Sequence, residues 1–435
     1  MEAPAYAALR DEAKATTCIA WATRKRWTLA TAGADRAGPC PVCGGTDRFS
    51  IHTGKNLWNC RVCERSGNDV ISLVMWSENL EFVPACELIT GRNADAPIDA
   101  ARAAHLRLQT EKEAQRRAAT EAHKREEARR AGHAIWSGQS RDIDWSGPGI
   151  GSASASPVRA YLKLRGIDLD ALPEEVSRRI RLREADALAY RAPISSLSPR
   201  SGPGQPLGED RGWTTIAAGP AMLAAVQRPD GHFGAVHQTW IDFTHPKGRL
   251  ELPPDADGKD RPGKKVLGSK KGGAIRLYTP PEWSARGDPS SPTGWRMPEE
   301  GERRKLIMGE GIETTLTALA HAFEPDTAYW AGVDLGNMAG KAFVDETGKR
   351  HHDVPDLSDR ECFLPPVWVE ELIYLCDSDD ARNHTEHKVE RGLKRAMILR
   401  AQAIEQGAQL APLSGYVVGP LGDSMDLNDL VRERV

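Results

Sequence analysis

Two cysteine pairs, Cys40-x2-Cys43 and Cys60-x2-Cys63, stand 16 residues apart, and no other feature constrains the fold as tightly. Each CxxC turn presents two thiolates from one knuckle. Two knuckles supply the four sulfurs of a tetrahedral Zn(II) site with Zn–S near ~2.3 Å. The intervening DRFSIHTGKNLWNC alternates as a hairpin does, with Phe49, Ile51, Leu57 and Trp58 expected to cover the metal. Four protein ligands leave no position for a reactive water, so the site is expected to be structural or recognitional rather than hydrolytic. Redox-active CxxC pairs are the alternative. His52 reads as a surface hairpin residue, and Lys55, Arg61 and Arg65 either meet phosphates or are ordinary surface charge. The scattered cysteines, Cys18, Cys86, Cys362 and Cys376, read as small buried apolar groups.

The chain has 435 residues, too many for one small domain. The expectation is a multidomain α/β and α+β protein divided into 1–95, 96–157, 158–303 and 304–435. The first unit opens with a helix from Pro4 to about Ala22 and ends with an apolar-periodic segment from Asp69 to Ile89. Residues 101–131 hold nine Lys/Arg against five Glu and no Gly or Pro, the pattern of a solvated helical linker. SGPGIGSASASP at 146–157 reads as a flexible hinge. In the mixed α+β unit, the runs 221–228 and 234–243 form antiparallel strands turned at Asp230-Gly231, and 284–303 is a charged connector. From 304 onward, strands alternate with helices (KLIMGEG, IETTLTALAHAF, TAYWAGV, LIYLCDSDDA, GYVVGPL), which predicts βαβ units and a mostly parallel sheet.

Three acidic elements follow successive strands of this last unit. Glu310 lies between Gly309 and Gly311; Asp377 and Asp379 follow LIYLC; Asp426 and Asp429 follow GYVVGPL. Ligands of α/β sheets bind at the carboxyl ends of strands. Carboxylates gathered there repel one another unless a hard divalent cation, Mg(II) or Mn(II), neutralises them. Taken singly, each has a plainer reading: a helix-start carboxylate, a loop, a cap. Between Lys259 and Arg276 seven Lys/Arg face one Asp. The glycines of GKKVLGSKKGGAIRLY let backbone approach phosphate while Lys264, Lys265, Lys270, Lys271 and Arg276 neutralise it; a solvated loop is the alternative. Trp240 and His237 read as core residues, and His351-His352 as exposed loop.

CPVCGGTDRFSI, WNCRVCERSGNDVISLVM and FVPACELITG resemble the zinc-binding domain of bacterial and phage primases, with Asn68 inserted between Gly67 and Asp69. GEGIETTLTAL, YWAGVDLGNMAG, LIYLCDSDDA and GPLGDSMDLNDLV resemble the Toprim domain that such primases share with topoisomerases and some nucleases. AAVQRPDGHFGAVHQTWID with KKVLGSKKGGAIRLY resembles the N-terminal half of the primase polymerase core. The resemblance implies a Rossmann-like, mostly parallel C-terminal domain. It assigns the catalytic set to Glu310, Asp377 and Asp379, with Asp426 and Asp429 also at the Mg(II)/Mn(II) site. Lys265 becomes the lysine at nucleotide or primer phosphate, supported by Lys264, Lys270, Lys271 and Arg276. Glu313 falls one position before an acidic residue of some relatives, where this chain has Thr314.

What it implies is a DNA primase that makes short RNA primers from NTPs on single-stranded DNA. A Toprim-type nuclease and a non-catalytic DNA-binding accessory protein are the alternatives. The seven tyrosines stand in no context that marks one for strand breakage. No GxxxxGK[ST] loop occurs and the chain stops soon after the acidic match, so a separate helicase or replication initiator is expected. The N-terminus lacks a signal-peptide layout, and no stretch reaches the ~20 apolar residues a membrane span needs; a cytoplasmic protein is expected. The net charge of −3 leaves any nucleic-acid contact to local basic surfaces.

Overall fold

The structure is a computed structural model that describes residues 4–30, 35–93, 100–145, 156–197, 209–210, 212–284, 304–345, 350–376 and 382–419. The chain forms two compact units, Met1–His123 and Lys124–Val435.

In the first unit, the single opening helix expected from Pro4 to Ala22 is two: α1 (Pro4–Lys14) and α2 (Cys18–Arg24). Thr17 separates them, its hydroxyl accepting from the Ala20 amide at 3.2 Å as an N-cap. Strands β1 (Asp35–Cys40), β2 (Gly44–His52), β3 (Leu57–Cys60) and β4 (Arg65–Gly67) then form an antiparallel sheet in sequence order. Helices α3 (Val70–Ser77) and α4 (Phe82–Thr90) follow. The Asp69–Ile89 segment breaks between them, where Asn79 takes φ 52°. Asp69 caps α3, its Oδ1 accepting from the Ser72 amide at 2.8 Å. Phe49, Ile51 and Trp58 are buried with Val70, Leu73 and Val74 of α3. Leu57, expected beside them, is exposed, because strand alternation turns it to the other side of β3 from Trp58. Trp58 stacks on Trp76 at 4.7 Å, and Trp27 meets Phe49 edge-on at 5.6 Å.

Helix α5 runs from Ala100 to Gly138, longer than the linker expected at 101–131. On it the half-buried Glu126 pairs with Arg129 and Arg130, at 2.7 and 2.9 Å.

The second unit continues with β5 (Arg141–Asp142), α6 (Pro157–Leu164), α7 (Glu174–Ser177), β6 (Arg183–Pro193), β7 (Glu209–Asp210), β8 (Trp213–Gln227), β9 (Phe233–Trp240), β10 (Lys264–Gly268), β11 (Ala274–Tyr278) and α8 (Pro281–Ser284). It ends with β12 (Lys305–Gly309), α9 (Ile312–His321), β13 (Thr327–Ala331), α10 (Leu335–Ala339), β14 (Ala342–Val344), β15 (Arg350–Pro355), β16 (Glu371–Leu375), α11 (Arg382–Glu405) and β17 (Ser414–Val418). Strands β8 and β9 pair around a turn in which Gly231 takes φ 80° and the Asp230 carboxylate accepts from the His232 amide at 2.9 Å.

The path β10-β9-β8-β11-β13-β12-β16-β17 belongs to a single sheet. Its first half is antiparallel, and β13, β12, β16 and β17 pair in parallel. The halves meet where β11 runs antiparallel to β13, with Ile275 opposite Ala331. Parallel strands are apolar on both faces because helices cover both. Ile307, Tyr329 and Ile373 pack with Ile312 and Leu316 of α9. Leu306, Met308, Trp330 and Tyr374 face the opposite way, with Val389 and Leu393 of α11.

Among the described residues no helix is long and apolar enough to cross a membrane.

Candidate functional site

In the ribbon, the four thiols converge as their spacing predicts. Cys40, Cys43, Cys60 and Cys63 offer sulfurs all within 4.8 Å of one another. Cys40 and Cys63 are 3.9 Å apart, and Cys43 and Cys60 are 3.7 Å apart. A tetrahedron with Zn–S of ~2.3 Å has edges of about 3.8 Å, so the sulfurs fit a Zn(II) ion. Amides of the knuckles point at them as well: Val42 and Cys43 donate to the Cys40 sulfur at 3.4 and 3.3 Å, and Cys63 donates to Cys60 at 3.4 Å. Such bonds stabilise thiolate, the form that binds metal. His52 is occupied in its own turn, its Nδ1 accepting from the Lys55 amide at 3.1 Å. Arg61 pairs with Asp47 at 3.5 Å.

In the second unit, Glu310 stands half-buried between the end of β12 and the start of α9. Gly309 is required by crowding, not by a left-handed turn: a Cβ there would lie 2.9 Å from the Thr315 hydroxyl, which accepts from the Gly309 amide. Neighbouring β16 is in register, Met308 opposite Tyr374, and ends at Leu375, two residues before Asp377. Asp377, Asp379, Asp426 and Asp429 lie outside the described residues.

On the other side of β12, the Gly332 amide donates to the Gly309 carbonyl at 2.8 Å, and Val333 takes φ 75°. A β-branched residue with positive φ is strained, and strain of this kind gathers at functional edges. The sequence gives no warning of it.

The basic loop reaches this same edge. Because β11 is antiparallel to β13, the turn before β11 meets the carboxyl end of β13. Asn337 fastens it there: its amide group donates to the Gly273 and Gly332 carbonyls at 2.8 and 2.9 Å, and its oxygen accepts from the Gly272 amide at 2.9 Å. Lys270 pairs with Asp334 and Lys271 with Glu361. Arg276 lies over the Trp330 ring, 4.6 Å from its centroid.

Lys264 and Lys265 part company, since successive strand residues point to opposite faces. Lys265 lies 3.6 Å from the Tyr190 ring centroid and donates to the Arg191 carbonyl at 2.6 Å. Burial, reinforced by Arg261, lowers its ammonium to about 8.

Lys264 instead donates to Glu313 Oε2 at 2.9 Å. Glu313 Oε1 accepts from the Tyr161 hydroxyl at 2.7 Å and from Arg249 at 3.0 Å. Glu313 is 2% exposed. Burial alone would raise its carboxyl, but Lys264 and Arg249 outweigh that and hold it well below the usual carboxylate range. His237, beneath the same group, is kept neutral: burial, then Lys264, lowers it to about 4. Glu313, one helical turn beyond Glu310, is thus a buried carboxylate held by three partners.

Comparison with known proteins adds two family matches. Residues 35–71 match the zinc-binding domain of primase-helicase. Residues 150–277 match a domain of unknown function, DUF7146, which takes in β6 to β10 and most of β11. No curated protein matches the chain. Solved structures similar to it include the zinc-binding and RNA polymerase domains of the Aquifex aeolicus primase (15% identity, 97% of this chain and 81% of that one, TM-score 0.29). A DNA primase domain from Pseudomonas aeruginosa is another (12%, 65% and 70%, TM-score 0.29), and the primase fragment of the bacteriophage T7 primase-helicase a third (13%, 92% and 94%, TM-score 0.25). Spacing, sulfur geometry and family match agree on one identity: residues 35–71 are a zinc-binding domain of the primase-helicase kind.

Proposed function

We propose that this chain is a DNA primase, a nucleotidyltransferase that makes short RNA primers from NTPs on single-stranded DNA. The observation that carries the reading is one chain holding both a primase-type zinc ribbon and a parallel sheet whose adjacent strands β12 and β16 run into acidic segments. In this reading the ribbon of 1–95 selects the template site, the helical stretch 96–157 tethers it, and 158–303 with a Toprim-like 304–435 forms the polymerase core.

Glu310, Asp377 and Asp379, with Asp426 and Asp429 alongside, would hold Mg(II) or Mn(II). Bound there, a divalent ion supplies the positive charge that a triphosphate and an attacking 3′-hydroxyl require. The protein's own share is placement. Asn337 holds the Lys270–Gly273 turn at the strand edge, where Lys270 and Lys271 meet triphosphate oxygens by exchanging their present carboxylate partners for phosphate. Lys265 serves primer or nucleotide phosphate from the opposite face, and Arg276 contributes beyond the turn. Lys264, neutralised by Glu313, fixes α9 behind Glu310. The protein acts in the cytoplasm beside a separate helicase or initiator.

Incubation of the full chain with single-stranded DNA, NTPs and Mg(II) or Mn(II) tests the proposal. Short RNA products that vanish in Asp377→Ala/Asp379→Ala support it. Template cleavage would turn the reading to a Toprim-type nuclease, and neither product to a DNA-binding accessory protein.

A further inference from the structure

One basic surface, which shares only Arg276 with the groups assigned so far, has no role yet. In the segment SRRIRLR, Ile180 and Leu182 are buried while Arg179 and Arg181 are exposed and Arg183 is half-buried. This alternation turns a row of guanidinium groups to one side. They line a cleft of 450 Å³ with Trp136, Trp145 and Arg276.

Its charge is poorly balanced. Among the described residues Asp142 is the only carboxylate lining the cleft, and it pairs with Arg183 at 3.2 Å. Arg178 pairs with Glu174. No described carboxylate lies within ion-pair distance of Arg179 or Arg181. Arg276, half-buried at the cleft wall, is lowered to about 10 by burial first and then by the like charge of Arg181, with Asp230 opposing the shift.

We propose that this cleft takes the sugar–phosphate backbone of a single-stranded nucleic acid. Arginine forks match phosphate oxygens two at a time. The aromatic walls suit bases: Trp136 and Trp145 are both half-buried, and the Arg183 guanidinium lies 5.3 Å over the Trp136 ring. Phosphate-binding arginines interleaved with indole faces are the combination that grips unpaired strands without reading sequence. A concave pocket of this size admits a short stretch of extended strand; a duplex presents a broad convex surface that cannot enter it. The cleft deepens the primase reading by giving the template a track, and rests on that reading only for calling the strand template.

The test measures binding alone, without nucleotides. A fluorescein-labelled oligothymidylate is titrated with full-length protein across a series of salt concentrations, followed by anisotropy. Arg179→Ala/Arg181→Ala should weaken binding about tenfold. It should also make the slope of log K against log salt shallower by about 1.4, two phosphate contacts at ~0.7 each for single strands. Both arginines are exposed, so the variant should melt as the wild type does. Unchanged affinity and slope would overturn the proposal, as would equal loss with a duplex of the same length. An abasic strand that binds as well as oligothymidylate would remove the role of the tryptophans. A wild type that binds in this way yet makes no primer would leave the cleft standing and end the primase reading.

Discussion

Lys264 Nζ donates to Glu313 Oε2 at 2.9 Å, joining the first residue of β10 to the helix that follows Glu310. The bond links parts of the chain 49 residues apart and fills one oxygen of a carboxylate that Tyr161 and Arg249 share on the other.

Removing that buried carboxylate leaves two half-buried cations, Lys264 and Arg249, without it. Glu313→Gln should cost about 3 kcal/mol, the usual penalty when one partner of a buried pair is lost. Urea unfolding followed by circular dichroism measures it. Glu313→Gln/Lys264→Met should regain part of the loss, since one of the orphaned charges is then gone; no recovery would mean that the pair is not coupled.

The same cluster predicts a pH response. His237 is lowered to about 4 in the folded protein from an ordinary value of 6.5, surrounded by Lys264, Arg249 and Glu313, so the unfolded chain binds the extra proton between those values. Stability should therefore be complete above pH 6.5 and fall as pH drops toward 4, by up to about 3 kcal/mol. Glu313, itself held low, adds a further loss below the ordinary carboxylate range. His237→Gln should flatten the first part of the curve of melting temperature against pH while leaving the second.

Zinc should be present at one ion per chain by atomic emission. A chelator strong enough to strip it should abolish the near-ultraviolet dichroism of the Trp58–Trp76 stack, because four thiolates without their cation repel one another and release the knuckles. Retained dichroism in metal-free protein would show that the aromatic core holds the ribbon unaided.

Lys265, lowered to about 8 by burial and by Arg261, should lose its charge as pH rises through that value. Triphosphate binding that depends on it should weaken above pH 8, and Lys265→Arg should extend binding into the alkaline range. Parallel titrations of wild type and variant with a fluorescent NTP analogue decide it; identical profiles would exclude Lys265 from the site.

What the sequence made legible was local. CxxC spacing marks the zinc knuckles because four sulfurs within a short hairpin have few other places to go. The β8–β9 hairpin is written in Asp230-Gly231, and the β12-α9-β13 succession in its alternation of apolar runs. What stayed hidden is what distant segments do together. Glu313 reads as an ordinary first-turn glutamate until Tyr161, 152 positions earlier, donates to it. Lys264 and Lys265 look equivalent in a string of lysines, yet a strand sends them to opposite faces. Leu57 reads as metal cover because it is apolar and adjacent to Trp58, and that adjacency is what turns it outward. The arginine row of 179–183 was readable in principle from its alternation with Ile180 and Leu182.

The antiparallel seam between β11 and β13 has a mechanical meaning. The ladder continues across it, with one register shift between Arg276 and Tyr278, so the strands before and after residue 304 share backbone hydrogen bonds, which resist a hinge there. Lys124–Val435 should accordingly melt in a single calorimetric transition, and two separate transitions within it would show that the shared ladder does not couple the halves.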